Sequence, residues 1–181
     1  CYAMKANPFL TEQMAEQADR IEVCSMGEFE ICRSLGIPPE KLFISGVLKK
    51  KEDIYRILEI YGEKCRYTVE SVRQLHYFLE WSDTHMKTLR LYPRLTNGSQ
   101  FGMDEETMRS IVSIVNMSPY LEIEGIHYFS GTQKRHIRQF RQELQMLDRF
   151  LQKIRDEWNV EIRHLEYGPG TAVPYFIGKE A

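Results

Sequence analysis

The chain alternates between short apolar runs and longer stretches in which apolar residues recur every three or four positions. The short runs predict β-strands, and the longer stretches predict amphipathic helices. Seven strands are predicted in this way, near residues 1–4, 21–24, 42–44, 66–69, 88–95, 123–129 and 162–167. Because strands and helices alternate along the chain, the pattern indicates βα units on a parallel sheet.

Capping residues support the predicted helix boundaries. They are Asn7 before Pro8, Ser25 with Glu28 as a capping box, Gly36 after a helix, and Asp104 before an acidic first turn. These local signals agree with the periodicity, so the two kinds of evidence predict the same elements.

The last predicted helix carries an apolar stripe with alternating spacings of three and four residues: Ile137, Phe140, Leu144, Leu147, Leu151, Ile154 and Trp158. A coiled coil and a long helix that covers a sheet both have this stripe, and we favour the covering helix. Seven βα units are one short of the eight in a TIM barrel. The sequence therefore predicts an α/β TIM (β/α)8 barrel with seven of its eight units in residues 1–181.

Composition excludes several classes of function. The 181 residues are 43% hydrophobic and 28% charged, and the net charge of -2 is spread without a basic face, so no nucleic-acid partner is expected. No apolar run has the length of a membrane span, so no membrane partner is expected. The four cysteines lack metal-ligand spacing, which predicts no metal site and a reducing, cytoplasmic location. The chain begins without methionine, inside a predicted strand, which suggests an excised part of a longer protein.

Lys5 is the first candidate for chemistry, because it follows a short apolar run where a barrel strand ends. An amine buried against apolar neighbours has a lowered pKa and can attack a carbonyl carbon, so Lys5 is a candidate Schiff-base lysine. Taken alone, the segment fits an exposed lysine at a strand end better.

Three further segments place polar chemistry at predicted strand ends. Residues 125–133 end in a small turn with hydroxyl groups, and residues 165–171 contain two glycines that let the backbone approach an anion. A Gly-Pro-Gly sequence is more often an ordinary turn. Arg94 could bind a carboxylate or phosphate at the barrel mouth, although an arginine at a strand end usually forms a surface salt bridge.

Seven segments, in order and at successive strand ends, resemble the barrel domain of the fold-type III pyridoxal-phosphate decarboxylases. This is the group of diaminopimelate, ornithine and arginine decarboxylases, which has an alanine-racemase-like barrel. The segments are residues 2–7, 23–28, Gly46 with Lys49, 69–71, Arg94, 125–133 and 168–170. One such motif would be weak, but seven in register are specific.

The resemblance implies that pyridoxal 5'-phosphate is the cofactor and that Lys5 is the catalytic residue that forms a Schiff base with it. Thr132 stands where a serine usually meets the cofactor phosphate. The implied cofactor-binding residues are Lys5, Arg94, His127, Phe129, Thr132, Gly168, Pro169 and Gly170.

Some residues depart from the family pattern. Phe129 stands where a histidine commonly stacks on the cofactor ring, so we expect a flat apolar face there; His127 matches another frequent histidine. Pro169 replaces a glycine and cannot donate an amide hydrogen, and Gln100 stands where a lysine is frequent. Together with residues 174–176, these departures resemble the sequences of relatives that act on a carrier-protein-bound amino acid.

The implied activity is decarboxylation of an amino acid, either free and similar to diaminopimelate or ornithine, or bound to a carrier protein. The resemblance implies that residues 1–181 are a partial cofactor-binding barrel domain, followed in the intact protein by an eighth strand and a β-rich domain. It also implies a homodimer with shared active sites. Two alternatives stay open: an alanine-racemase-like enzyme, and a non-catalytic cofactor-binding or regulatory homologue.

Overall fold

The structure, a computed structural model, describes residues 1–46 and 49–174. Its strands are β1 (Tyr2–Ala3), β2 (Ile21–Val23), β3 (Leu42–Ile44), β4 (Arg66–Val69), β5 (Leu89–Leu95), β6 (Leu121–Ile123), β7 (Gly125–Phe129) and β8 (His164–Gly168). Its α-helices are α1 (Thr11–Gln17), α2 (Met26–Ser34), α3 (Lys51–Tyr61), α4 (Val72–His85), α5 (Glu105–Met117) and α6 (Ile137–Trp158). Of the segment 174–176 named above, Tyr175 and Phe176 lie outside the described residues.

The strands form one parallel sheet in the order β1-β2-β3-β4-β5-β7-β8, and β6 also pairs with β5. Successive side chains of a strand point to opposite faces, and β2 shows the result. Ile21 and Val23 belong to the buried apolar core, whereas Glu22 between them lines a cavity. The predicted α/β fold of βα units is confirmed.

The single strand predicted at residues 123–129 is wrong, because β6 and β7 are separated at Glu124. Ile123 pairs with Leu91, and the next pair joins His127 to Arg94. Between these pairs β5 has two residues, 92–93, and the opposite segment has three, 124–126, so one extra residue forms a bulge. Pro93 lies in this interval and has no N–H to donate, which explains why regular pairing is interrupted there.

The predicted capping signals are found at the helix boundaries. The three predicted capping side chains each accept a backbone N–H at the start of a helix or 3-10 turn: Asn7, Ser25 and Asp104. The expected capping box differs in one bond, because the carboxylate of Glu28 accepts the N–H of Cys24, at 2.6 Å, instead of that of Ser25. Gly36 follows Leu35, the C-terminal cap of α2, and has a φ of 66°, in the left-handed region that favours glycine.

The apolar stripe of α6 is buried only over its second half. Leu147, Ile154 and Trp158 are buried in the core, as expected for a helix that covers a sheet. Ile137 and Leu144 are exposed, whereas Phe140 between them is half-buried with Lys134 5.6 Å from its ring centre, so the first half of the stripe is only partly covered. No helix in the two described ranges is long and apolar enough to cross a membrane.

Candidate functional site

A cavity of about 490 Å³ lies where β1, β2, β3, β5, β7 and β8 end. Six of the eight residues predicted to bind a cofactor line it: Lys5, Arg94, His127, Phe129, Gly168 and Pro169. The other two, Thr132 and Gly170, do not line the cavity but belong to turns next to it. The predicted residues therefore gather at one end of the sheet, as the strand directions require.

Lys5 lies two residues after β1, in a 3-10 turn formed by Met4–Ala6. Its Nζ atom is 3.9 Å from Oε2 of Glu22 and 5.5 Å from the ring centre of Phe129. The Lys5 side chain is 54% exposed, so its predicted burial against apolar neighbours is wrong. The amine is instead open to a ligand in the cavity, with one carboxylate and one aromatic face beside it.

Phe129 ends β7 and presents its ring between two cations. Lys5 Nζ and the Arg94 guanidinium carbon lie 5.5 and 6.0 Å from its centre, distances at which a cation is attracted to a ring face. The ring also lies against Gly168, because a Cβ atom on this residue would lie 2.7 Å from Phe129 Cδ2. Glycine at position 168 therefore leaves the space that this ring occupies.

A buried charge network lies behind the cavity wall. Glu70 accepts a hydrogen bond from Arg94 at 2.8 Å, and its other carboxylate oxygen is 3.8 Å from Lys49 Nζ. Lys49 also donates to the hydroxyl and the carbonyl of Thr68, at 2.7 and 3.0 Å. Burial lowers the pKa of Lys49 to about 8, although the Glu70 charge opposes this shift. The network holds Arg94 in place at the cavity.

His127 lines the cavity from the middle of β7, and it is buried. Arg94 on β5 and Glu166 on β8 are its neighbours in the sheet register. Burial is the main cause that lowers the pKa of His127 to about 3, and the charges of Arg94, Lys49 and Lys5 add to it. Its Nδ1 atom has no hydrogen-bond partner within the described residues. The imidazole is therefore neutral near pH 7 and can bind a ligand group without carrying a charge.

Two turns meet beside the cavity, one after β7 and one after β8. The N–H of Ser130 donates to the carbonyl of Gly168, and the N–H of Lys134 donates to that of Gly170, both at 2.9 Å. A Cβ atom on Gly170 would lie 2.0 Å from the carbonyl oxygen of Gly131, so only glycine allows this approach. Thr132 lies in the first of these turns and is exposed.

Residues that were not among the predicted site residues also line the cavity, including Glu22, Cys24, Phe101 and Glu166. Glu22 and Glu166 each stand between two more apolar strand neighbours, and this alternation was the available signal. Burial raises the pKa of the Glu166 carboxyl. Burial, followed by the charge of Glu22, raises the pKa of the Cys24 thiol to about 12, so this thiol is a poor nucleophile near neutral pH. Within the described ranges, no group of three or more His, Cys, Asp or Glu residues could hold a metal ion.

The sequence model of a known family, described as "Pyridoxal-dependent decarboxylase, pyridoxal binding domain", matches residues 1–181. The chain belongs to this family. The family predicted from the seven strand-end segments is therefore confirmed, and with it pyridoxal 5'-phosphate as the cofactor of the family.

Individual members of this decarboxylase family are similar over most of the chain. An L-glutamyl-[BtrI acyl-carrier protein] decarboxylase of Niallia circulans is 28% identical, over 89% of this chain and 40% of its own length. A diaminopimelate decarboxylase of Methanocaldococcus jannaschii is 27% identical, over 99% of this chain and 44% of its own. A crystal structure of diaminopimelate decarboxylase from M. jannaschii superimposes with a TM-score of 0.86 at 24% identity, over 99% of this chain and 45% of that one. The chain thus spans less than half the length of these relatives.

Proposed function

We propose that this chain carries the cofactor site of a pyridoxal 5'-phosphate-dependent amino-acid decarboxylase, with Lys5 as the residue that bonds covalently to the cofactor. One observation carries the proposal. Lys5, Arg94, His127 and Phe129 converge on one cavity that adjoins the contact between the two glycine turns. The family matched over residues 1–181 supports the same function.

The two turns fit a phosphate group. Gly131 and Gly170 have φ values of 124° and 66°, so both backbones adopt conformations that few other residues reach. Backbone amides without bulky side chains can approach an anion closely, and the exposed Thr132 hydroxyl can donate to it. We therefore propose that Thr132 and the turn of residues 168–170 hold the cofactor phosphate.

The cavity itself fits an aromatic ring that lies on Phe129. The ring of Phe129 offers a flat apolar face but no ionisable group, so it can orient a bound ring and cannot transfer a proton. His127 is neutral near pH 7 because its pKa is about 3, so it is also not an acid there. Pyridoxal 5'-phosphate, when bound, supplies the conjugated ring that accepts the electron pair left by the departing carboxylate.

Lys5 is the cavity residue best suited to covalent bonding. Its amine is exposed to the cavity, whereas the Cys24 thiol, whose pKa is about 12, stays protonated. Arg94 and Lys5 together add positive charge near the ring face of Phe129, which favours anionic groups such as the phosphate or the substrate carboxylate.

Covalent labelling tests this proposal in the intact protein. After incubation with pyridoxal 5'-phosphate and reduction with borohydride, the peptide that contains Lys5 should carry the added pyridoxyl mass. Lys5→Ala should lose this label and the release of carbon dioxide, whereas the matched control Lys87→Ala, on an exposed lysine, should keep both. A label on another lysine, or carbon dioxide release by Lys5→Ala at the wild-type rate, would contradict the assignment.

The substrate test uses a panel that follows from the named relatives. The panel contains four substrates: free diaminopimelate, free ornithine, free lysine, and glutamate that is attached to an acyl-carrier protein. Each is incubated with the intact protein, and the released carbon dioxide is measured. Interconversion of enantiomers without carbon dioxide would indicate a racemase, and cofactor binding without either reaction would indicate a non-catalytic homologue.

We further propose that the intact protein is a cytoplasmic homodimer. The dimer follows from the family resemblance alone, and the location is supported by the four cysteines, which are all free. Light scattering of the purified intact protein would show the mass of two chains if this is right and of one chain if it is wrong.

A further inference from the structure

One carboxylate on α6 is bound by side chains from both turns beside the cavity. Oε1 of Glu143 accepts hydrogen bonds from the Ser130 hydroxyl and from Lys134 Nζ. Oε2 accepts one from the Tyr167 hydroxyl at 2.7 Å. Ser130 and Lys134 stand at the two ends of the first turn, and Tyr167 directly precedes the second.

The protonation states in this cluster are set by the same contacts. Burial raises the pKa of the Glu143 carboxyl, but the hydrogen bonds from Lys134, Ser130 and Tyr167 outweigh it, and the net pKa is lowered. Burial and the Glu143 charge raise the pKa of the Tyr167 hydroxyl. Near neutral pH, Glu143 is therefore an ionised carboxylate that accepts the three hydrogen bonds.

Backbone hydrogen bonds join the two turns to each other, and residues 135–136 connect the first turn to the start of α6. The bonds from Ser130 to Gly168 and from Lys134 to Gly170 hold the turns together edge to edge. Glu143 adds side-chain contacts from α6 to both ends of the first turn and to Tyr167, the residue before the second. The helix α6 is anchored in the core through residues such as Leu147 and Ile154. The carboxylate thus connects both turns to a rigid element.

We propose that Glu143 is a positioning residue for the anion site formed by the two turns, and that it acts through Ser130, Lys134 and Tyr167 without touching the ligand. It also pairs with the charge of Lys134, so the turns bind an anion through backbone geometry more than through a free cation. This inference rests on the proposed function, because the anion in question is the phosphate of pyridoxal 5'-phosphate.

The test compares pyridoxal 5'-phosphate with pyridoxal, which lacks the phosphate, as ligands of the intact protein freed of cofactor. Dissociation constants are measured by absorbance titration. The wild type should prefer the phosphorylated ligand. Glu143→Ala should weaken binding of pyridoxal 5'-phosphate by about tenfold, equal to the loss of about 1.4 kcal/mol, and leave pyridoxal binding unchanged.

Two more variants separate hydrogen bonding from charge and from folding. Glu143→Gln should keep most of the affinity, because its amide oxygen can still accept and its amide nitrogen can donate to the Tyr167 oxygen. Glu143→Asp has a side chain one methylene shorter, and it should lose affinity only for the phosphorylated ligand. If the alanine variant does not fold, this variant tests whether Glu143 positions the anion site. The matched control is Glu157→Ala, which removes an exposed α6 carboxylate paired with Arg109 at 3.7 Å, and it should bind both ligands like the wild type.

The outcomes separate this inference from the proposed function. A wild type that binds both ligands equally well would overturn the phosphate site, and this inference with it. If Glu143→Ala and Glu143→Asp prefer the phosphorylated ligand by the same factor as the wild type, the inference alone would be overturned. Equal weakening of both ligands would overturn it too, because a general loss of structure does not act selectively on the phosphate.

Discussion

The neutral, buried His127 makes the stability of this protein depend on pH. In the folded state its pKa is about 3, against 6.5 for an ordinary histidine. Below pH 6.5 the His127 imidazole is therefore protonated in the unfolded chain but stays neutral in the folded one. The folded state loses stability as the pH falls from 6.5 towards 3. Well above pH 6.5 both states are neutral at this side chain, and it then adds no pH dependence.

The magnitude follows from the size of the shift. A difference of one pKa unit corresponds to about 1.36 kcal/mol. Protonation of His127 in the unfolded chain therefore lowers the free energy of unfolding by about 5 kcal/mol in total, once the pH has fallen to the pKa of the folded state. Between pH 7 and pH 5 the loss is about 2 kcal/mol, because the unfolded imidazole is almost fully protonated at the lower pH and the folded one is not.

The assay is urea unfolding of the intact protein at pH 7 and pH 5 without added cofactor, followed by tryptophan fluorescence. The two tryptophans of residues 1–181, Trp81 and Trp158, are buried and should report unfolding. His127→Gln cannot be protonated in this range, so its free energy of unfolding should fall by about 2 kcal/mol less than that of the wild type between the two pH values. The comparison of the two pH values removes any constant effect of the substitution.

An exposed histidine provides the control for this experiment. His76→Gln, on the surface of α4, should show the same pH dependence as the wild type. If His127→Gln loses as much stability as the wild type on acidification, the burial argument is wrong. The same conclusion would follow if the His76 and His127 variants behaved alike.

Two further predictions concern the phosphate turn and a helix end. Thr132→Val should weaken binding of pyridoxal 5'-phosphate by about 1.5 to 3 kcal/mol, through loss of one charge-assisted hydrogen bond, and unchanged affinity in an absorbance titration would refute the contact. Gly36→Ala should destabilise the protein by about 1 kcal/mol in urea unfolding, because Gly36 has a φ of 66°. The matched control is Gly27→Ala, which lies inside α2 and has no positive φ. This substitution should stabilise the protein instead of destabilising it.

Some features of this protein follow from local sequence alone. The capping residues Asn7, Ser25 and Asp104 act within three residues of their partners, so no knowledge of the tertiary fold is needed to predict them. The βα order placed Lys5 and the turn of residues 168–170 at the same end of the sheet, because parallel strands all end on one side. The family membership was readable for the same reason, since its motifs are short and each lies at a strand end.

The positions of strand breaks and of buried charges depended on contacts between distant residues. The bulge near Glu124 arises from the offset between β5 and its partners, and a register offset cannot be read from either segment alone. The approach of Lys5 to the ring of Phe129 joins two residues that are far apart in the sequence. Apolar periodicity could not predict this, because it reports which face of an element is buried and not what stands opposite.

Sequence by itself therefore determined the order of elements, the strand ends that carry polar residues, and the family. Tertiary structure alone decided which of these residues meet: Arg94 with Glu70, the two glycine turns with each other, and both turns with Glu143. The physical reason is the sequence separation between the residues that interact. Caps and periodicity act within a few residues, whereas the Glu143 carboxylate and the Tyr167 hydroxyl are 24 residues apart and meet only because α6 packs beside β7 and β8.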